Sequence, residues 1–293
     1  MRAHAPRQAL TAPRLPAIPL RPFPVAGTAH LLVYTVFTAA TLGPLLWIVM
    51  LSFKTRRELA SQPFAWPQQF DFANYADVFH QDLVLTFLFN SVITVSGAML
   101  IVLVASTLAG YAIARVPFRG SNVLFLMFLI GDSIPLVVTI IPLFILIEAL
   151  HLDGSRFSII LPYAAMNMGM SVYILRGFFA SISSEIEDAG RLDGCNVFRL
   201  IWHIILPIAR PGLLVVGILN FISFWNEYFL ATVIATSQAL LTLPAGLAAT
   251  FVNKHDTNWP VMAAAAVLTL IPVMIVFTLA QDKIVRGWAA LSK

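Results

Sequence analysis

The chain is poor in charge: Asp, Glu, Lys and Arg make up 11% of its 293 residues, against 59% hydrophobic. A soluble domain carries roughly 25% charged and about 45–50% apolar residues. This chain cannot cover itself with polar surface, so much of it must face lipid. Cysteine is nearly absent. Cys195 stands alone, which excludes an intramolecular disulfide framework and any multi-cysteine metal or iron–sulfur site. The sequence holds no Gly-x-x-x-x-Gly-Lys-Ser/Thr loop to cradle nucleotide phosphates and no His-Glu-x-x-His pair to hold a catalytic zinc. Nucleotide binding in the P-loop manner and the commonest intramembrane zinc-protease chemistry are therefore not expected. A net charge of +4 does not point to nucleic acid, because the basic residues lie between apolar runs and form no patch.

Six apolar runs are present, at 30–51, 87–114, 123–149, 157–178, 212–235 and 261–280. Each reaches the length of about 20 residues that a helix needs to cross a bilayer. In lipid the backbone must satisfy its own hydrogen bonds. The runs are too long and too evenly apolar for barrel strands. The expected fold is an all-α integral membrane protein with six transmembrane helices. Thirteen Lys and Arg flank one set of span ends and five the other, which predicts that both termini are cytoplasmic. Residues 1–27 contain six prolines, four arginines and no acid, the composition of a disordered tail. Residues 28–293 would then form the membrane domain. The first apolar run is too long for a signal-peptide core and reads as a retained span.

Two connections carry information. The outer loop over 52–86 contains Trp66-Pro67 and Phe70-Asp71-Phe72-Ala73-Asn74-Tyr75, and a short amphipathic helix is predicted from Tyr75, Val78 and Phe79. Its aromatics would anchor in the membrane interface or touch a partner. The cytoplasmic loop over about 179–211 is far longer than a simple connection requires. Ser184-Glu185-Ile186-Glu187 matches a capping box. Glu187 and Asp188 lie four and three residues before Arg191, so either can pair with it on a helix. Asp193-Gly194 predicts a turn. A second helix follows, with Val197, Phe198, Leu200, Ile201, Ile204 and Ile205 on one side and Asn196, Arg199 and His203 on the other. A membrane protein that builds a helix–turn–helix outside its spans is presenting a surface to a partner.

The segment Asp188-Ala189-Gly190-Arg191-Leu192-Asp193-Gly194, followed after nine residues by Ile204-x-Leu206-Pro207, resembles the EAA loop of binding-protein-dependent ABC importer permeases. The family pattern is Glu-Ala-Ala, three residues, Gly, nine residues, Ile-x-Leu-Pro. Here Asp188 replaces the usual Glu and Gly190 the second Ala. The spacing of Gly194, Leu206 and Pro207 is intact. Asn90-Ser91, Phe224-Trp225-Asn226-Glu227-Tyr228, Leu243-Pro244-Ala245-Gly246 and Gln281 are also similar to the carbohydrate-uptake branch, above all to maltose-type second permeases and glycerol-3-phosphate permeases. The C-terminal sequence from Gly287 departs from the family's usual ending. The resemblance implies a prokaryotic inner-membrane permease that performs no bond chemistry. It would form half of a sugar path with a second homologous permease, two copies of an ATPase that binds ATP and Mg2+, and an extracytoplasmic solute-binding protein. It further implies that Glu187, Asp188, Ala189, Arg191, Asp193, Gly194, Leu206 and Pro207 belong to the ATPase-coupling loop.

Polar groups within spans need a partner or a wet path, since a charge at mid-bilayer costs about 2.5–3.5 kcal/mol on insertion scales. Asp132, Asn167, Asn220, Trp225, Asn226 and Glu227 are the candidates. They would line a translocation path or hold helices together, and Ser133 and Pro135 beside Asp132 predict a local helix break facing protein or a cavity. Two rival functions remain open on the residues alone: an ion-coupled carrier, for which Asp132 would be the coupling acid, and an intramembrane enzyme, which lacks a catalytic constellation.

Overall fold

A computed structural model describes residues 27–80, 83–116, 118–252 and 257–291, with side chains between 30 and 281. The expected disorder of the 1–27 tail lies outside the described residues, except that Gly27 opens the first helix. Fifteen helices are described: α1 (Gly27–Leu51), α2 (Arg56–Ser61), α3 (Ala73–Phe79), α4 (Val84–Arg115), α5 (Ser121–Ser133), α6 (Leu136–Ala149), α7 (Phe157–Met166), α8 (Met168–Ser181), α9 (Ser184–Leu192), α10 (Val197–Leu200), α11 (Leu206–Ile208), α12 (Arg210–Asn226), α13 (Phe229–Ile234), α14 (Leu243–Phe251) and α15 (Trp259–Leu291). Among the described residues there is no strand. The chain divides into two units within α1, between Leu45 and Leu46. The first holds the opening turns of α1 and the second everything from Leu46 onward.

Among the described residues, three helices are long and apolar enough to cross a membrane unaided, in α1, α4 and α15, and up to six crossings result if each bent pair counts as one. Not every apolar run is one straight helix. The run 123–149 is α5 and α6, bent by 104°, and 157–178 is α7 and α8, bent by 48°. The run 212–235 stops at Asn226 and resumes as the six-residue α13. Pro135 explains the first break: it disfavours helical backbone at the residue before it, and Ile134 is extended at ψ 121°. Glu227 is extended in the same way at ψ 122°. By contrast α4 runs 32 residues with no proline, about 48 Å at 1.5 Å per residue.

Contacts at the two ends of α4 show how the chain weaves. At its C-terminal end Arg115 donates to the Phe179 carbonyl at the end of α8. At its N-terminal end Asn90 accepts from Arg156, just before α7. The chain thus leaves α4 at the Arg115 end, reaches the Asn90 end through α5 and α6, and returns through α7 and α8. Bent as it is, α5–α6 carries the chain from one end to the other. Two apolar cores match these ends. One gathers Phe87, Val95, Tyr163, Phe224, Leu230 and Leu243 towards the Asn90 end. The other joins Tyr111, Leu175 and Phe179 to Leu200, Ile201 and Ile205. At the Asn90 end, the predicted amphipathic helix appears as α3, with Val78 buried.

Candidate functional site

The helix–turn–helix forms at the Arg115 end. Its cap is one residue earlier than the sequence suggests: Ser183, not Ser184, accepts from the Glu185 amide. This shifts the register of the expected capping box, so Glu187 does not reach back to close it. Glu187 instead turns into the bundle, with its side chain 5% exposed, and faces Arg115 at 3.2 Å. Tyr111 donates to its other oxygen at 3.4 Å. Both intrahelical pairs form, Arg191–Glu187 at 3.5 Å and Arg191–Asp188 at 3.2 Å. Asp188, Ala189, Arg191 and Asp193 are exposed.

Gly194 makes the turn with φ +78°, a backbone that costs an L side chain about 1–2 kcal/mol. The Cys195 amide closes it by donating to the Gly190 carbonyl at 3.0 Å. Asn196 caps the second helix by accepting from the Arg199 amide. The departure Gly190 has a packing use: a Cβ there would lie 2.7 Å from a Leu200 methyl and 2.8 Å from an Ile204 methyl. A side chain there would require both methyls to move.

The second helix passes through a π-helical turn at Ile201–Ile205 before α11. Pro207 supplies no N–H and its ring would crowd the carbonyl four residues back, which a widened turn relieves. Leu206 is half-buried and Pro207 exposed. The expected apolar face of this helix is only partly internal. Leu200, Ile201 and Ile205 are buried, but Val197 and Phe198 project outward at 56% and 72% exposure, alongside Trp202 at 64% and Leu192 at 89%.

Three of the intramembrane candidates converge on the break between α7 and α8. Asp132 accepts from the Gly169 amide at 3.1 Å and from Met170 at 2.6 Å, capping the start of α8 from α5. The Asn167 carbonyl accepts from the Ser171 hydroxyl, which in turn accepts from Asn220 at 2.9 Å. Asp132 also lines a cavity of about 450 Å³ with Ser133, Pro135, Thr139, Pro162 and Met166. The other three candidates lie towards the Asn90 end. Glu227 caps α13 through the Leu230 and Ala231 amides and accepts from the Tyr163 hydroxyl at 2.8 Å. Trp225 is buried and donates to the Thr269 carbonyl, while Asn226 is exposed and donates to Ile222. No local pattern marks Tyr111, Arg115, Tyr163 or Ser171 as partners. Arg115 was readable only as a topology charge.

Comparison with known proteins agrees with this architecture. The chain is 31% identical over 260 residues to a diacetylchitobiose uptake system permease protein of Streptomyces coelicolor, covering 88% of this chain and 86% of that one. It is 33% identical over 250 residues to a sulfoquinovosyl glycerol transport system permease protein of Agrobacterium fabrum, covering 85% and 87%. A chain from the crystal structure of a bacterial ABC transporter involved in alginate import superposes with a TM-score of 0.79 at 26% identity, over 87% of this chain and 95% of that chain. Residues 103–289 match the family described as binding-protein-dependent transport system inner membrane component. Spans, fold and sequence agree, and the chain belongs to this family of multi-pass ABC transporter permeases.

Proposed function

We propose that the chain is one permease subunit of an ABC sugar importer in a prokaryotic plasma membrane, and that the 184–208 helix–turn–helix docks on its ATPase. It would pair with a second homologous permease, two ATPase copies and an extracytoplasmic binding protein, with ATP and Mg2+ held by the ATPase. The outward face of that helix pair carries the reading. Leu192, Val197, Phe198 and Trp202 expose four large apolar groups, flanked by the exposed charges Asp188, Arg191 and Arg199. Clustered exposed apolar groups with a polar rim mark a protein interface. The Lys and Arg distribution supports a cytoplasmic position for this face, the side on which ATP is available. A sugar cargo follows from the substrates named for the relatives. The carrier alternative is weakened by geometry, because both Asp132 oxygens already accept backbone amides and the acid has a capping task.

A mild-detergent purification of the tagged chain from its native membrane, with partners identified by mass spectrometry, tests this. Recovery of an ATPase, a second six-span chain and a binding protein is the expected result. A chain recovered alone or as a homo-oligomer, even after cross-linking through Cys195, would remove the docking reading.

A further inference from the structure

We propose that the buried Glu187–Arg115 ion pair is the joint that passes movement of the 184–208 helix–turn–helix to α4, making both residues positioning residues for energy coupling. The inference rests on the docking reading above and adds the mechanical link that reading needs.

Four parts of the chain meet at this pair. Arg115 belongs to α4; its Nε donates to the Phe179 carbonyl of α8 at 2.9 Å, and its terminal nitrogen donates to the Ile182 carbonyl in the linker before α9. The same guanidinium faces Glu187 of α9 at 3.2 Å, with side-chain exposures of 14% and 5%. Because the Nε hydrogen is already given to Phe179, Glu187 Oε1 has no hydrogen bond of its own. It is held by the charge of Arg115. Its other oxygen receives Tyr111 and Arg191.

The rest of the attachment is apolar. Leu200, Ile201 and Ile205 pack on Tyr111, Leu175 and Phe179, contacts with little directionality that allow one element to slide over another. A buried ion pair adds little net stability, because desolvation offsets its attraction. It does fix register: displacing Glu187 would strand a buried charge on each side. A push on α9 is thereby delivered to α4 as rigid-body motion, in the manner of packed helices that shift as units. The helix that receives it is unbroken over 32 residues. Its far end is tied by Asn90 to the Ala239 and Leu241 carbonyls and by Ser91 to the Leu243 amide.

The test uses the complex purified with its own partners and reconstituted in lipid nanodiscs. ATP hydrolysis is measured with and without the binding protein recovered from the same membranes, and each variant's stimulation is taken relative to its own unstimulated rate. Glu187→Gln and Arg115→Gln are expected to retain the ATPase but to lose about tenfold in stimulation, within the usual range for coupling between two sites. Arg115→Lys keeps the charge opposite Oε1 and should retain most of it. The exchange Glu187→Arg with Arg115→Glu should recover part of what the single changes lose. Wild-type stimulation in both glutamine variants overturns the proposal. So does a loss shared equally by Arg115→Lys and accompanied by release of the ATPase, which would show a purely structural role. If the wild-type complex itself contains no ATPase, or its ATPase ignores the binding protein, the docking reading fails instead.

Discussion

Gly194 separates conformational need from space. Its φ of +78° is one L residues avoid, yet a Cβ built there meets nothing within 4 Å. Gly194→Ala should therefore cost backbone strain alone, about 1–2 kcal/mol. Gly194→Asn should cost less, because a short amide side chain tolerates this region. Melting temperatures of the purified variants should rank Gly above Asn above Ala; an alanine variant as stable as the parent would show that the turn relaxes. This residue was legible from Asp193-Gly194 and its spacing to Leu206-Pro207, since turn chemistry is local. The long-range partners of Glu187 and Glu227 were not. Arg115 and Tyr163 lie 72 and 64 residues away in sequence, and only the tertiary fold brings them near.

At the scale of elements, periodicity identified the second helix of the pair but misplaced part of its face. Val197 and Phe198 share a side with Leu200, Ile201 and Ile205, yet only the last three are buried. Periodicity shows which side of a helix is apolar, not how far its neighbour extends along it. The break within 123–149 was legible from Pro135, but the bend within 157–178 was hidden for a related reason: composition stays apolar through a break that capping side chains make tolerable. Asp132 performs that service for α8 and Glu227 for α13. Asn90 does comparable work, fully buried and holding Ala239, Leu241 and Arg156 together. Asn90→Ala should leave these polar groups unpaired and destabilise the chain by about 2–3 kcal/mol. It should also speed proteolytic cleavage near 236–242 ahead of global unfolding. Unchanged cleavage there would mean that the segment is held by its apolar contacts, chiefly Leu241 and Leu243.

For the whole molecule, the number of crossings decides which surfaces share a compartment. Phe64, at 82% exposure, lies after α1, and Leu192, at 89%, lies in the helix–turn–helix. Between them run α4, the α5–α6 pair and the α7–α8 pair. A bend of 104° admits two readings of α5–α6, a broken span or a re-entrant loop. The hydrogen bonds favour the first: Arg115 and Arg156 flank this pair and contact opposite ends of the bundle, one at Phe179 and the other at Asn90. Three crossings place Phe64 and Leu192 on opposite sides of the membrane, whereas a re-entrant pair leaves two crossings and one shared side. Phe64→Cys and Leu192→Cys, each built on Cys195→Ser, should thus react with an impermeant maleimide from opposite faces. In intact cells the Phe64 position should label, and the Leu192 position only in inverted vesicles, as the excess of basic residues on the Leu192 side requires. Labelling of both from one face would make α5–α6 re-entrant and leave the long path from Arg115 to Arg156 unexplained. Labelling from opposite faces in the reverse sense would keep three crossings while moving the helix–turn–helix away from cytoplasmic ATP.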